Sequence, residues 1–66
     1  MKFIDLLKLL PETQEVHLIF GDLGILGTED SLGCLLNEDA FLAEVINIEA
    51  EDNRLKVWVK EADNAN

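Results

Sequence analysis

The chain has one cysteine, one proline, one histidine, no tyrosine and only five basic residues. Each scarcity excludes something. A lone Cys34 cannot close an intramolecular disulfide, which points to a reducing, cytoplasmic setting. One His and one Cys cannot give a single chain a four-ligand zinc site built from nitrogen and sulfur. The Asp and Glu runs lack the spacing of a calcium loop. Cys34 and His17 are the one nucleophile–base pair available on paper. Cys34 stands among Leu32, Leu35 and Leu36 and reads as a small buried apolar residue. His17 shares a strand face with Ile19 and reads as a structural or surface imidazole. The glycines at 21, 24 and 27 match no phosphate-binding fingerprint and no lysine stands near them, so they read as turn or bulge residues. No apolar run approaches the ~20 residues of a membrane span. The first run is broken by Asp5 and Lys8 and stopped by Pro11, unlike a signal peptide. The expectation is no catalytic residue, no metal ligand and no cofactor.

Positive charge is scarce in a patterned way. Lys2 and Lys8 stand at the front, and Arg54, Lys56 and Lys60 at the back. Between them lie Glu12, Glu15, Asp22, Glu29, Asp30, Glu38, Asp39, Glu44, Glu49, Glu51 and Asp52, with His17 the single basic side chain among them. Net charge is −9. Self-repulsion of this kind opposes compaction, and it speaks against direct contact with nucleic acid or an anionic membrane, which require Lys and Arg. It suits a partner with a basic surface.

What is abundant is apolar: 48% of the residues. That is globular, yet 66 residues give at most one domain, and one core of that size rarely supplies more than roughly 3–5 kcal/mol. The expected domain is residues 1–61, with 62–66 a frayed tail. Phe3, Leu6, Leu7 and Leu10 repeat at helical spacing and predict a helix over 3–10, ended by Pro11. Alternation in Glu15–Phe20 predicts a strand with Val16, Leu18 and Phe20 on one face. Gly21-Asp22 is a turn. Ile25-Leu26 opens a second strand, Thr28–Ser31 reads as a loop, and Leu32–Leu36 reads as either strand or helical turn. Asn37 caps a short helix over 38–43, with Phe41 and Leu42 facing inward. Residues 44–50 and 55–60 alternate around a turn at 51–54 and predict a β-hairpin. Ile46, Ile48, Leu55, Val57 and Val59 are expected on its inner face, and Asn47, Glu49, Arg54, Lys56, Trp58 and Lys60 on its outer face. The fold class is α+β: a small antiparallel sheet of about four strands, an N-terminal helix, and a short helix before the C-terminal hairpin.

The segments MKFIDLLKLLPETQEVHLIF and EVINIEAEDNRLKVWVKE resemble short acidic proteins of phages and mobile elements of Gram-positive bacteria. Those proteins share a Leu-rich helix, a Leu-Pro break, a Val-containing strand and a closing Val/Ile hairpin. The resemblance implies a phage-type inhibitor, anti-CRISPR-like or a DNA mimic, that occupies a basic surface of a host nucleic-acid-handling protein such as a CRISPR effector nuclease. Candidate contacts are Glu29, Asp30, Glu38, Asp39, Glu49, Glu51 and Asp52, with Trp58 as an aromatic anchor. The alternative is a non-catalytic structural or assembly module that homodimerises through apolar surface.

Overall fold

The computed structural model describes residues 1–61; the segment 62–66, expected as a frayed tail, lies outside the described residues. Seven elements follow one another: α1 (Phe3–Leu7), β1 (Glu15–Phe20), β2 (Leu23–Thr28), α2 (Glu29–Leu35), α3 (Glu38–Phe41), β3 (Glu44–Glu51) and β4 (Arg54–Lys60). The four strands form one sheet in the order β2-β1-β4-β3. This is the α+β class expected, closing on the expected hairpin. The sheet is mixed rather than antiparallel throughout, because its two central strands, β1 and β4, run parallel.

Helix α1 is shorter than the 3–10 spacing suggested. It ends at Leu7, and the chain tightens through Leu9 N–H to Leu6 O (3.0 Å) and Leu10 N–H to Leu7 O (3.1 Å). Such three-residue bonds commonly close a helix, and here Pro11 bars the α conformation at Leu10. The apolar face holds as read. Phe3, Leu6 and Leu7 are buried and Leu10 packs beside them, while Leu9 is exposed.

Strand β1 spans the residues its alternation predicts, with Val16 and Leu18 fully buried. Gly21-Asp22 joins it to β2 as a two-residue turn with Gly21 at φ +64°, a value glycine adopts without steric cost. The opposite hairpin turns through Asp52-Asn53, with Asp52 at φ 55°.

Thr28–Ser31, expected as a loop, instead starts α2. The Thr28 hydroxyl accepts from Ser31 N–H and Ser31 Oγ accepts from Thr28 N–H, a reciprocal box that satisfies two end-of-helix donors. Helix α2 carries its buried residue, Leu32, over Gly27. A Cβ at Gly27 would lie 2.6 Å from Ser31 Oγ and 3.4 Å from Leu32 Cδ2. Gly27 is therefore required for the helix to approach the strand, not for a turn or bulge. Asn37 caps α3 as read, its Oδ1 accepting from Ala40 N–H at 3.0 Å. That helix stops at Phe41, two residues early. Phe41 stacks on Phe3 with ring centroids 6.4 Å apart. Leu42 points outward and Ala43 takes the buried place instead.

All three helices lie on one side of the sheet. Their core residues Phe3, Leu6, Leu7 and Leu32 join Val16, Leu18, Val57 and Val59 in a single cluster. Two hairpin residues expected there are not part of it. Ile48 has the right parity, opposite Val57, but β3 is the edge strand and the helices stop short of it, leaving Ile48 44% exposed. Ile46 is the extra residue of a bulge between Val45 and Asn47, which turns it to the opposite face, 56% exposed. Among the described residues no helix is long and apolar enough to cross a membrane.

Candidate functional site

Strand register assigns every side chain of the sheet to one of two faces. On the face away from the helices, β1 places Glu15, His17 and Ile19 beside Arg54, Lys56 and Trp58 of β4. On either side of that pair, β2 contributes Gly24 and Leu26, and β3 contributes Asn47, Glu49 and Glu51. No described element covers this face. Its centre is apolar: Ile19 and Trp58 are half-buried, and with Ile46 they line an open hollow of about 400 Å3 that Lys60 and Glu61 border. His17 lies across Gly24, where a Cβ would stand only 2.7 Å from its Nε2.

The three cations of β4 sit at alternate positions, so all three point to this open face. Arg54 Nε approaches Glu15 Oε2 at 3.4 Å, and Lys56 Nζ reaches Glu51 Oε2 at 2.8 Å. Lys56 holds the Glu51 carboxyl below its ordinary range by hydrogen bond first and by charge second, and Glu51 raises the Lys56 ammonium by the same two causes. Glu49, opposite Lys56, adds to the latter. The open face thus balances Glu15, Glu44, Glu49 and Glu51 against Arg54, Lys56 and Lys60, a net of −1. The N-terminal ammonium offsets Glu44 further, at 3.3 Å.

The rest of the described surface carries Asp5, Glu12, Asp22, Glu29, Asp30, Glu38, Asp39, Asp52 and Glu61 against Lys2 and Lys8 alone, a net of −7. None of these side chains takes part in an ion pair among the described residues. Glu29 and Asp30 open α2, and Glu38 and Asp39 open α3; both pairs are on the helix side. They mark its two ends. Glu29 follows Thr28, level with Glu15 and Arg54, whereas Asp39 borders a hollow of about 360 Å3 with Phe20, Leu23 and Leu35 at the other end of the strands. A six-residue strand separates the two pairs by about 17 Å.

The sequence-level contacts therefore divide. Glu29, Asp30, Glu38 and Asp39 share the helix side. Glu49, Glu51 and Trp58 share the open face, where Lys56 pairs with Glu51 and stands opposite Glu49. Asp52 sits at the hairpin tip between them. The division follows from the alternation of β4, once the sheet's covered side is known.

The Cys34–His17 pair does not form. Cys34 is exposed on α2, not buried as its leucine neighbours suggested, and His17 faces away on the far side of the sheet. Leu32 alone of that segment is fully buried, with Leu36 half-buried against the core, while the helix turns Cys34 and Leu35 outward. Among the described residues no group of three or more His, Cys, Asp or Glu side chains is placed to hold a metal ion, and no buried side-chain polar atom lacks a partner. No protein-family model, curated protein or solved structure matches the chain.

Proposed function

We propose that this chain is a small, non-catalytic binding protein whose helix side occupies a basic channel of a nucleic-acid-handling protein, acting as a phage-type inhibitor. One observation supports it above the others: all but one of the carboxylates left without ion pairs, Glu49 being the exception, lie outside the open face, and the two acidic pairs on the helix side open α2 and α3. Sheet alternation collects three of the five cations on the other side. The Glu29–Asp30 and Glu38–Asp39 pairs, about 17 Å apart, span roughly five steps of a nucleic-acid duplex axis at about 3.4 Å each. Their field would speed encounter with such a channel and weaken as salt screens it.

The same carboxylates have a local use. Each sits in the first turn of its helix, where the dipole favours negative charge by about 0.3–1 kcal/mol. Neutralisation is therefore a cleaner test than charge reversal, with circular dichroism to check the fold. The experiment captures partners from a bacterial lysate at about 0.05 M and about 0.3 M salt, where the screening length falls to less than half. It then asks whether nucleic acid, single- or double-stranded, displaces what was captured. The expected result is a basic protein, lost at high salt, released by the nucleic acid, and bound several-fold more slowly by the Glu29→Gln/Asp30→Asn/Glu38→Gln/Asp39→Asn variant. Unchanged capture by that variant, or a captured protein indifferent to nucleic acid, refutes the proposal.

A further inference from the structure

The open face poses a different problem from the acidic side. It is a four-stranded sheet surface with an apolar centre, uncovered by any described element, in a domain whose single core is already small. Leu26 is 47% exposed and Ile46 56%, and both flank the half-buried Ile19 and Trp58. A strongly basic or strongly acidic partner gains nothing from a face whose own charge sums to −1. The face needs an occupant with apolar side chains at the centre and both signs of charge around them, which describes the face itself.

We infer that a second copy of this chain covers the open face, forming a symmetric sheet-on-sheet dimer. Aligned sheets stack about 10 Å apart with strand directions within about 30°. A two-fold axis running along the strands, midway between β1 and β4, sets β1 of one copy over β4 of the other. Ile19 is level with Trp58 and Glu15 with Arg54 in the register. The operation therefore places Ile19 over Trp58 of the second copy and Arg54 near its Glu15, each contact occurring twice. Both acidic helix sides remain outward, so the copies meet where their repulsion is least. Four strands at about 4.8 Å and six residues at about 3.3 Å give a footprint of roughly 400 Å2 per copy. That belongs to weak interfaces, and the dimer forms at micromolar rather than nanomolar concentration.

The inference does not rest on the inhibitor reading, and its test separates them. Sedimentation equilibrium of the full chain is run from about 5 to about 500 μM, a range that brackets a weak interface. Three proteins are compared: wild type, Leu26→Glu/Ile46→Lys, and Glu29→Gln/Asp30→Asn. The first variant replaces two exposed side chains, so the fold survives, as circular dichroism will verify. Wild type should pass from monomer to dimer within the range. The same two-fold lays β2 over β3 of the second copy and sets position 26 level with its Glu49. Leu26→Glu/Ile46→Lys should therefore raise the dissociation constant by at least about tenfold, by like-charge repulsion at position 26 and by a charge set into the apolar centre at position 46. The helix-side variant should dimerise as wild type does. A monomer at every concentration overturns the inference. So does a dimer indifferent to the substitutions at 26 and 46, or one lost only when Glu29 and Asp30 are neutralised.

Discussion

Gly27 to Ala is the substitution on which the fit of α2 against β2 can be tested most sharply. The added methyl would stand 2.6 Å from Ser31 Oγ. Ser31 cannot simply rotate away, since its hydroxyl accepts from Thr28 N–H at 2.8 Å and donates to Thr28 O at 3.0 Å. Displacing it breaks the cap, at about 0.5–2 kcal/mol. Crowding against Leu32, fully buried at the centre of the cluster, adds about 1–3 kcal/mol if the helix cannot shift. Removing a glycine restores about 0.4–1 kcal/mol through the unfolded chain. The net expectation is a loss of about 1–3 kcal/mol, a large share of the roughly 3–5 kcal/mol available to a core this size. Ser31→Ala alone should cost about 1 kcal/mol. In the double variant the obstructing oxygen is gone, so the two losses should overlap by about 1 kcal/mol rather than add. Urea denaturation followed by Trp58 emission measures all four corners of the cycle. Strict additivity within about 0.3–0.5 kcal/mol, or a stabilised Gly27→Ala variant, would refute the claim that Gly27 exists to admit Ser31 and Leu32.

Phe3→Ala should leave no folded protein, because a fully buried Phe truncated to Ala costs about 3–5 kcal/mol, as much as the whole domain holds. A surviving cooperative urea transition would show that α1 is not part of the core. Raising salt from about 0.05 to about 0.5 M should move the wild-type urea midpoint upward, since screening relieves self-repulsion among the unpaired carboxylates; a fall would mean that ion pairs dominate instead. Glu51→Gln isolates the Lys56 pair. With Glu51 held below its ordinary pKa, the pair's contribution is present above the unfolded glutamate value and disappears as pH falls through the folded one. With Lys56 raised, it persists at neutral pH and disappears as pH climbs through the raised lysine value. Urea midpoints from about pH 3 to about pH 11 should therefore show wild type and Glu51→Gln converging at both limits; a wild type that gains on the variant in acid contradicts the assigned sign.

Local patterns were the legible ones. The alternation of Glu15–Phe20, the Asn37 cap and the arms of the hairpin are each written within eight residues or fewer, and each forms where the pattern indicates. The start of α2 was hidden because its box closes with Ser31 where the familiar signal is Glu or Gln. Two glycines, Gly27 just before the helix and Gly33 within it, also argued against one. With Thr28–Ser31 read as a loop and Leu32–Leu36 as either strand or helical turn, Cys34 is placed by its leucine neighbours alone. The bulge at Ile46 shifts the pattern by one residue and carries no signal that alternation can register. The parallel pairing of β1 with β4 is the least local feature. It joins segments almost forty residues apart and is held at its end by Gln14 Nε2–H donating to Asn53 O at 2.6 Å and by Arg54 beside Glu15.

That long-range pairing also decides how charge is distributed, which a linear reading misjudges. Along the chain the cations lie at the two ends, and the middle looks uniformly negative. Folding places β4 in the sheet interior, between β1 and β3, so Arg54, Lys56 and Lys60 serve carboxylates that are distant in sequence, Glu15 among them. Had β4 formed an edge, the same three cations would meet glutamates on one side only. Period-two spacing makes one near-neutral apolar face and leaves the remaining surface strongly acidic, and central placement sets the β4 cations between the glutamates of β1 and β3. The two faces are suited to different occupants. Moving Lys56 to the other parity, as in Lys56→Thr with Leu55→Lys, should weaken self-association and blunt the acidic surface together, with circular dichroism to check the fold because Leu55 packs against the core. No arrangement with the charges evenly spread would couple the two effects, so a variant that changes one without the other would break the link between strand parity and charge.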